Sequence, residues 1–234
     1  MKAIDVELKF PFYSIKHVES YQVGISYISQ MPSSLLGAIG YGLALKNKCH
    51  GEACKNEAQK IVKKAREYFV ETKNPLSIKF PVILKRLRGV LESGSLPSGF
   101  DELVAYSDAM VREYVFTEKA NIIFIGDLEE IKGALNIIDR LGDSESLASV
   151  TSIDEISLKE CDSSEVNVLI KSSLWNNIGN HIVNVGFDEN WKKSLFVFPL
   201  SDKDNKAYYS PIKINRKTLC SDDEKIKIPS GDDW

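Results

Sequence analysis

Three cationic side chains lie within four residues of one another, at Lys85, Arg86 and Arg88. Positive charges at this density can follow the phosphates of a nucleic-acid backbone. In an extended strand, alternation would place Arg86 and Arg88 on one face and Lys85 on the other, so the arginine pair is the stronger candidate. The competing interpretation is a strand end whose charges are simply solvated.

A second candidate phosphate site lies at the start of a predicted helix, where Ser33 and Ser34 follow Pro32. The Ser33 hydroxyl is predicted to cap the free N–H groups of the first turn. A helix N-terminus attracts anions because these groups carry a partial positive charge. The alternative is capping without a ligand, with the glycine face of Gly37 and Gly40 packed closely on a sheet.

A third candidate is a loop whose glycine and small hydroxyl residues would let RNA approach the backbone. Its predicted contacts are Arg140, Gly142, Ser144 and Ser146. The two carboxylates between them are unfavourable beside phosphates, and would instead accept hydrogen bonds from base amino groups or from a partner arginine. The alternative is a helix that ends at Gly142 and is followed by a simple turn.

Aromatic side chains offer a further way to hold RNA, because unpaired bases stack on them. Tyr21, Tyr27 and Tyr41 are candidates, although tyrosines in a small domain are more often half-buried core residues. In a later predicted strand, Tyr114 or Phe116 could also stack on a base.

Catalytic and metal chemistry have weaker support. Metal-independent RNA cleavage needs an acid and a base, and the available histidines are His17, His50 and His181. Cys49, His50 and Cys54 supply three soft ligands, whereas a structural zinc site needs four. We therefore predict no metal, no cofactor and no catalysis. A disulfide between Cys49 and Cys54 stays open as an alternative, although a reducing compartment disfavours it.

The composition is that of an ordinary globular chain with an uneven charge distribution. Of its 234 residues 43% are hydrophobic, and its net charge of −3 argues against a uniformly basic nucleic-acid-binding surface. Residues 1–120 carry a net charge of +4 and residues 121–234 a net charge of −7, so an anionic partner should meet the first half. The four cysteines form no dense framework, and the longest apolar run is broken by glycine. These features predict a cytoplasmic protein with no membrane segment.

The predicted elements follow the order strand, helix in two pieces, strand, strand, helix, strand. This is the split βαβ, or ferredoxin-like, pattern. Asp127 is predicted to cap the last helix, and Pro81 to mark a strand edge or a bend. The predicted segments are a strand over 3–14, helices over 33–47 and 55–71, a strand over 76–84, an irregular stretch over 85–110, strands over 112–116 and 121–126, a helix over 128–140, and strands over 147–150 and 155–158.

The chain is predicted to divide into three parts. Residues 1–159 form the main unit, residues 160–220 form a small β-rich unit, and residues 221–234 form an acidic mobile tail.

The features of the main unit resemble one family. A strand is followed by the helix Met31-Pro-Ser-Ser-Leu-Leu-Gly-Ala-Ile-Gly, and Arg140-Leu-Gly-Asp-Ser-Glu-Ser-Leu precedes the last strand of the unit. This combination resembles the Cas-five family of CRISPR-associated RAMP proteins, with the archaeal subtype I-A branch as the nearest match. The resemblance extends over about residues 1–160.

The resemblance implies both a fold and a function. The fold would be α+β, a ferredoxin-like (RRM-like) RAMP domain with a thumb-like insertion at about 85–110 and a small β-rich C-terminal extension. The function would be that of a non-catalytic Cascade subunit that binds the 5′ handle of the guide RNA and caps the filament of backbone subunits. The implied partners are the guide RNA and the backbone subunit, with the large subunit as a further candidate. An endoribonuclease that processes CRISPR repeat RNA and a pure protein–protein scaffold stay open as alternatives.

Overall fold

The fold is known from a computed structural model. It describes residues 1–20, 23–86, 94, 96, 98–105, 108–143 and 146–234, with the backbone alone at 85, 86, 103, 105 and 108.

An antiparallel sheet of six strands forms the centre of the fold. The predicted alternation of the first strand is confirmed, because Ile4, Val6, Leu8 and Phe10 are all buried in one hydrophobic cluster. Asp5 points to the other face, where it accepts a hydrogen bond from a tyrosine hydroxyl. In spatial order the strands are β15 (Lys227–Pro229), β14 (Thr218–Ser221), β6 (Ser149–Cys161), β1 (Lys2–Lys9), β5 (Lys119–Gly126) and β2 (Val62–Tyr68).

Three helices share the larger hydrophobic cluster with this sheet. The predicted cap of the last one is confirmed, because the Asp127 side chain accepts a hydrogen bond from the backbone N–H of Glu130. That helix ends at Leu135 rather than at 140, so Gly142 is not its C-terminal stop. The helices are α1 (Pro32–Leu45), α2 (Glu52–Ile61) and α4 (Leu128–Leu135), and a short fourth helix, α3 (Phe100–Ala105), lies apart in sequence.

The prediction of one helix over 55–71 is wrong. The helix ends at Ile61 and the chain continues directly as β2, which pairs with β5 through a bulge near Val62. The apolar residues fit helical spacing, but only Ala58 and Ile61 are buried from the helix. Ala65 joins the core from β2, and Phe69 joins it from the position directly after β2. Pairing with β5 also satisfies backbone hydrogen bonds along one edge of this segment, and tertiary pairing of this kind overrides a weak local preference.

A second sheet has four strands and contains the long hairpin of β3 and β4. The bounds predicted for an irregular stretch over 85–110 are wrong, because β3 extends to Arg86, β4 begins at Asp108, and Phe100–Ala105 is helical. Pro81 lies beyond Ile78, the last residue of β3 that pairs with β12, so its prediction as an edge position is confirmed. In spatial order the strands are β11 (Leu200–Lys203), β12 (Lys206–Tyr209), β3 (Ser77–Arg86) and β4 (Asp108–Thr117).

The C-terminal region is joined to the rest of the molecule. The prediction of a mobile tail over 221–234 is wrong, because β14 and β15 extend the central sheet and the Trp234 side chain is buried. The prediction rested on the acidic residues of this segment, which do not indicate that Trp234 is buried. The remaining strands are β7 (Glu165–Val166), β8 (Ile170–Lys171), β9 (Val183–Phe187), β10 (Lys193–Val197) and β13 (Ile212–Lys213), with a 3-10 turn at Ser172–Leu174.

All four cysteines are paired. Cys49 and Cys54 form one disulfide across the start of α2, and Cys161 and Cys220 form another between β6 and β14. The Cys49–Cys54 disulfide that the sequence left open as an alternative is therefore present, and these two cysteines have no thiolate to offer a metal. Within the described residues, no cluster of three His, Cys, Asp or Glu side chains is arranged to hold a metal ion. Likewise, no described helix is long and apolar enough to cross a membrane.

The glycines of α1 meet helices rather than the sheet that was expected. A Cβ at Gly42 would lie 2.5 Å from the carbonyl oxygen of Ala134 in α4, and one at Gly40 would lie 3.1 Å from the carbonyl oxygen of Cys54 in α2. A Cβ at Gly37 would meet nothing within 4 Å. Close helix packing therefore explains two of the three glycines, and leaves the backbone at Gly37 open.

Alanine substitutions at Gly42 and Gly37 are expected to change stability in opposite directions. Gly42→Ala should lower the free energy of unfolding by roughly 1–3 kcal/mol or more, because the new methyl group meets backbone that cannot yield easily. Gly37→Ala should raise it by up to about 1 kcal/mol, because alanine is the better helix former and has room. Urea unfolding of the two variants beside the natural chain measures both effects, and equal effects at the two positions would contradict the packing described.

A buried carboxyl group fixes the chain where it enters α1. The Glu67 side chain, in a residue that is 5% exposed, accepts hydrogen bonds at Oε2 from the Ser29 hydroxyl and the Gln30 backbone N–H, both at 2.7 Å. Burial raises the pKa of Glu67 to about 7, against the opposing effect of these hydrogen bonds.

Glu67 is expected to make stability depend on pH. Its native pKa is raised from 4.5 to about 7, so its contribution is fully present below pH 4.5 and is lost as the pH rises through 7. Glu67→Gln keeps an acceptor for both donors and cannot ionise. The variant should match the natural chain near pH 4.5 and exceed its free energy of unfolding by up to about 3 kcal/mol at pH 8. Parallel pH profiles of the two proteins in thermal unfolding would contradict this assignment.

Candidate nucleic-acid interface

A groove of about 390 Å³ lies between the first turns of α1 and the loop after α4. We call it the α1 groove. It brings together the predicted helix start and the predicted glycine loop, which are far apart in sequence, and adds a third segment near Lys16. The lining residues are Ile15, Lys16, Ser34, Gly37, Ala38, Tyr41, Arg140, Leu141, Gly142 and Asp143.

The helix starts one residue before the predicted position, and its N-cap lies two residues before the predicted one. Met31 is the N-cap, Pro32 is the first helical residue, and no side chain caps the turn, so the capping predicted for Ser33 is wrong. Proline suits the first helical position because the N–H it lacks would have no helical partner there. Ser33 and Ser34 are both partly exposed, but only Ser34 lines the α1 groove.

Bare backbone and an aromatic ring form the α1 side of the groove. Gly37 is exposed and has no neighbour where a side chain would stand, so a ligand can approach the helix backbone there. Tyr41 lies one turn further on. Its hydroxyl donates a hydrogen bond of 3.0 Å to Oδ1 of Asp139, which fixes the ring against the loop.

Arg140 is held as a cation beside the groove. Its Nε donates to Oδ1 of Asp139 at 2.9 Å, and its guanidinium lies 5.4 Å from the centroid of the Tyr41 ring. The hydrogen bond that Arg140 donates to Asp139 raises the pKa of Arg140 above its usual value, and the same bond lowers the pKa of Asp139. The Arg140 side chain is 40% exposed, so it can also contact an anion in the groove.

Gly142 is required by the backbone of the loop. Its φ is +103°, and a Cβ there would lie 2.8 Å from Cγ1 of Ile15 and 3.1 Å from the carbonyl oxygen of Ser14. The glycine therefore serves a left-handed conformation at a close approach.

Ser146 does not face the groove. The residue is 1% exposed, and its hydroxyl accepts from the backbone N–H of Ser14 at 2.9 Å and donates to the carbonyl oxygen of Ser14 at 3.2 Å. Its predicted contact with RNA is wrong, because this hydroxyl instead ties the glycine loop to the segment near Ser14.

Arg112 is a residue of this region that the sequence did not point to. Its guanidinium forms an ion pair with Asp143, and its Nε donates to the Ser14 hydroxyl at 3.2 Å. We expected the carboxylate of Asp143 to accept hydrogen bonds from a base amino group or from a partner arginine. Its arginine instead comes from β4 of the same chain. The pair reduces the repulsion that Asp143 would exert on a phosphate.

Lys16 was also missed as a binding residue. It is exposed on the rim of the α1 groove, and no carboxylate within the described part of the chain forms an ion pair with it. The neighbouring His17 is one of the histidines that the sequence offers for RNA cleavage. Its ring packs on Tyr27 at a centroid distance of 4.6 Å, and its Nδ1 accepts from the backbone N–H of Glu19. Only the folded chain shows that Lys16 shares a surface with Arg140.

Part of the predicted site lies beyond what the structure describes. The backbone of Arg86 is the last of β3 and pairs with Asp108, while its side chain is outside the described atoms. Arg88 and Ser144 lie outside the described residues, so their predicted contacts stay predictions.

The two aromatic candidates of β4 differ in exposure. Tyr114 is 8% exposed and packs on Phe12 and Phe80, at centroid distances of 5.2 and 6.0 Å. Phe116 is 54% exposed, so of the two it offers the ring face on which a base could stack.

The fold described above is that of CRISPR-associated proteins. One solved structure, a CRISPR protein from Archaeoglobus fulgidus, matches 99% of this chain and 100% of its own with a TM-score of 0.57 at 12% identity. A second, from a CRISPR RNA-guided surveillance complex, matches 97% of this chain and 91% of its own with a TM-score of 0.52 at 10% identity. At these identities the likeness concerns the fold alone.

Sequence relatives define the family. A CRISPR-associated protein Cas5 from Thermoproteus tenax is 33% identical over 229 residues, which is 98% of both chains. Another from Methanocaldococcus jannaschii is 34% identical over 171 residues, or 68% of this chain and 66% of its own. The chain belongs to the CRISPR-associated Cas5 family. No protein-family model matches it.

Proposed function

We propose that the chain is a non-catalytic subunit of a CRISPR surveillance complex that binds the 5′ handle of the guide RNA in the α1 groove. In that complex it would cap the filament of backbone subunits, which with the guide RNA are its proposed partners. The large subunit is a further proposed partner.

The observation that carries this proposal is the convergence in the α1 groove. Ser34, Arg140 and Gly142 were selected from the sequence as RNA contacts in two separate segments, and all three line one cavity. The open backbone at Gly37 supports the proposal further, because a ribose–phosphate chain can lie against it.

Charge favours an anionic ligand in this groove. Lys16 has no ion pair among the described residues, and Arg140 keeps 40% of its side chain exposed beside its partner Asp139. The second carboxylate, Asp143, is paired with Arg112. The groove therefore presents Lys16 and Arg140 to a phosphate, while Asp143 in its lining and Asp139 beside it are each paired with an arginine.

The strand order supports the finer proposal of a ferredoxin-like core. The central strands run β6, β1, β5, β2, with α1 and α2 between β1 and β2 and with α4 between β5 and β6. The β3–β4 hairpin is inserted between β2 and β5. We propose this hairpin and its connection as the thumb that touches RNA and a neighbouring subunit. The subtype I-A assignment is part of the same proposal.

The proposal is tested by co-expression with the backbone subunit of the same system. We expect a guide RNA to co-purify with the complex, and ultraviolet crosslinks to fall on peptides that contain Tyr41 or the 140–143 loop. Crosslinks confined to other subunits would favour a protein–protein scaffold instead.

Lack of catalysis is tested on the purified chain. Incubation with CRISPR repeat RNA in the absence of metal ions should leave the RNA intact. Specific cleavage that disappears in His17→Ala would establish the endoribonuclease alternative and overturn the non-catalytic assignment.

A further inference from the structure

The four-stranded sheet has one buried face and one face that no element of the core covers. Leu200, Ala207 and Val115 point from the first face into the larger hydrophobic cluster. Side chains directly opposite one another on paired strands share a face, so the strand register places the rest. One row of the other face runs from β11 to β4 through Lys203, Lys206, Ile78 and Phe116. We call this row, with Tyr208, Phe80, Tyr114 and Arg112 on the same side, the open sheet face.

Two cations without a carboxylate partner face each other in this row. Lys203 and Lys206 are exposed and directly opposite one another, on either side of the turn at 204–205. Within the described part of the chain, neither forms an ion pair. Like charges in this position repel, and an anion bound between them would remove the repulsion. Asp202 and Glu113 point to the other face, so no described side chain of the open sheet face is acidic.

Aromatic rings accompany these cations on the same face. Phe116 is 54% exposed at the other end of the row, and Tyr208 is partly exposed two residues after Lys206. Neither ring belongs to a hydrophobic cluster of the fold. Proteins bind single-stranded RNA by stacking its bases on such rings while cations contact its phosphates.

We propose that the open sheet face binds unpaired nucleotides of RNA. Phe116 and Tyr208 would stack on bases, and Lys203 and Lys206 would hold a phosphate between them. The β11–β12 hairpin would thereby complete an RNA surface that the β3–β4 hairpin begins. Every base has a ring face, so the site should be tolerant of sequence but should reject duplex RNA, whose bases are already stacked on one another.

The open sheet face continues into the α1 groove along β4. Phe116, Tyr114 and Arg112 occupy alternate positions, and Arg112 pairs with Asp143 in the lining of that groove. The Phe12 ring, 39% exposed, packs on Tyr114 between the two ends. Four residues of strand span about 13 Å, so one guide RNA strand can occupy the groove and then the sheet. This source of RNA rests on the function proposed above, whereas the affinity of the open sheet face for unpaired RNA does not.

Fluorescence anisotropy of the full chain with a labelled single-stranded RNA of about twelve nucleotides, over a series of salt concentrations, tests the proposal. Lys203→Gln with Lys206→Gln should weaken binding by roughly tenfold or more and make the salt dependence shallower, because fewer phosphates are neutralised. Phe116→Leu should weaken binding by roughly fivefold or more and leave the salt dependence unchanged, because it removes stacking and no charge. Phe116→Tyr should restore the affinity.

Lys63→Gln with Lys192→Gln is the matched control. These lysines are exposed and without an ion pair in the described chain, and they lie in β2 and just before β10. This double variant changes the net charge by the same amount, and it should keep both the affinity and the salt dependence.

Each outcome of this test decides the proposal. Lack of RNA binding by the natural chain, equal binding of a duplex of the same length, or unchanged affinity in the Lys203/Lys206 and Phe116 variants would overturn it. Variants that keep the RNA affinity but release the backbone subunit from the co-expressed complex would make the face a protein interface instead. Failure of the α1 groove is distinguishable, because charge reversal at Lys16 and Arg140 would then leave binding intact while the Lys203/Lys206 variant still weakened it.

Discussion

Replacing Glu189 by alanine is expected to lower the free energy of unfolding by roughly 3–5 kcal/mol, because it would leave a buried cation without its partner. Glu189 forms an ion pair with Arg66, and their side chains are 4% and 0% exposed. The Arg66 guanidinium also donates to the carbonyl oxygens of Leu169 and Ala65, at 3.1 and 2.8 Å. Those bonds hold the guanidinium in place but cannot neutralise its charge.

An exposed ion pair provides the control for Glu189→Ala. Lys159 and Asp222 pair at 2.8 Å with side chains that are 72% and 69% exposed, so Asp222→Ala should leave the free energy of unfolding almost unchanged. Urea unfolding of both variants measures the difference. Removing both charges in Arg66→Met with Glu189→Leu should restore part of the lost stability, because no unpaired buried charge would remain. Equal losses in Glu189→Ala and Asp222→Ala would show that the buried pair does not behave as described.

Charge reversal at both Lys16 and Arg140 is expected to weaken retention of the guide RNA by roughly 100-fold or more. A hydrogen bond to a charged group contributes about 1.5–3 kcal/mol, and two such contacts in the α1 groove would be lost. The dependence of RNA affinity on salt should also become shallower, because fewer phosphates are neutralised by the protein. Filter binding of guide RNA to the assembled complex over a series of salt concentrations measures both effects.

A second double variant tests whether the loss of RNA is specific to the α1 groove or follows from any equal change in net charge. Lys159→Glu with Lys217→Glu changes the net charge equally, on exposed side chains of β6 and of the segment before β14. This variant should retain the RNA. Lys16→Gln with Arg140→Gln should fall between the natural chain and the reversed variant, because it removes the contacts without adding repulsion. If both charge reversals release RNA to the same extent, the α1 groove is not the binding surface.

Several local features could be predicted from the sequence because neighbouring residues determine them. The alternation of Ile4, Val6 and Leu8 marks one face of a strand, since side chains of a strand alternate between its faces. The short side chain of Asp127 caps the helix that follows it. In each case the decisive contacts lie within a few residues along the chain.

Elements that depend on distant pairing could not be predicted in the same way. The segment after Ile61 has an apolar spacing that suits a helix. It forms a strand instead, because it pairs with β5. The acidic end of the chain suggested a mobile tail, yet a backbone oxygen of Trp234 accepts a hydrogen bond of 2.7 Å from Arg66. In both cases the two paired segments are far apart in sequence, so no local sequence pattern predicts the pairing.

The sequence by itself determined which residue types are present: a proline and two serines at a helix start, a glycine at position 37, and a loop with Arg140 and Gly142. Only the tertiary structure decided which of these groups meet and what surrounds them. It placed Lys16 on the rim of the same groove and buried Ser146, because hydrogen bonds between the loop and the segment near Ser14 bring remote parts of the chain together. The sequence shows each residue type separately, whereas the arrangement of these residues in space follows from the packing of the whole chain.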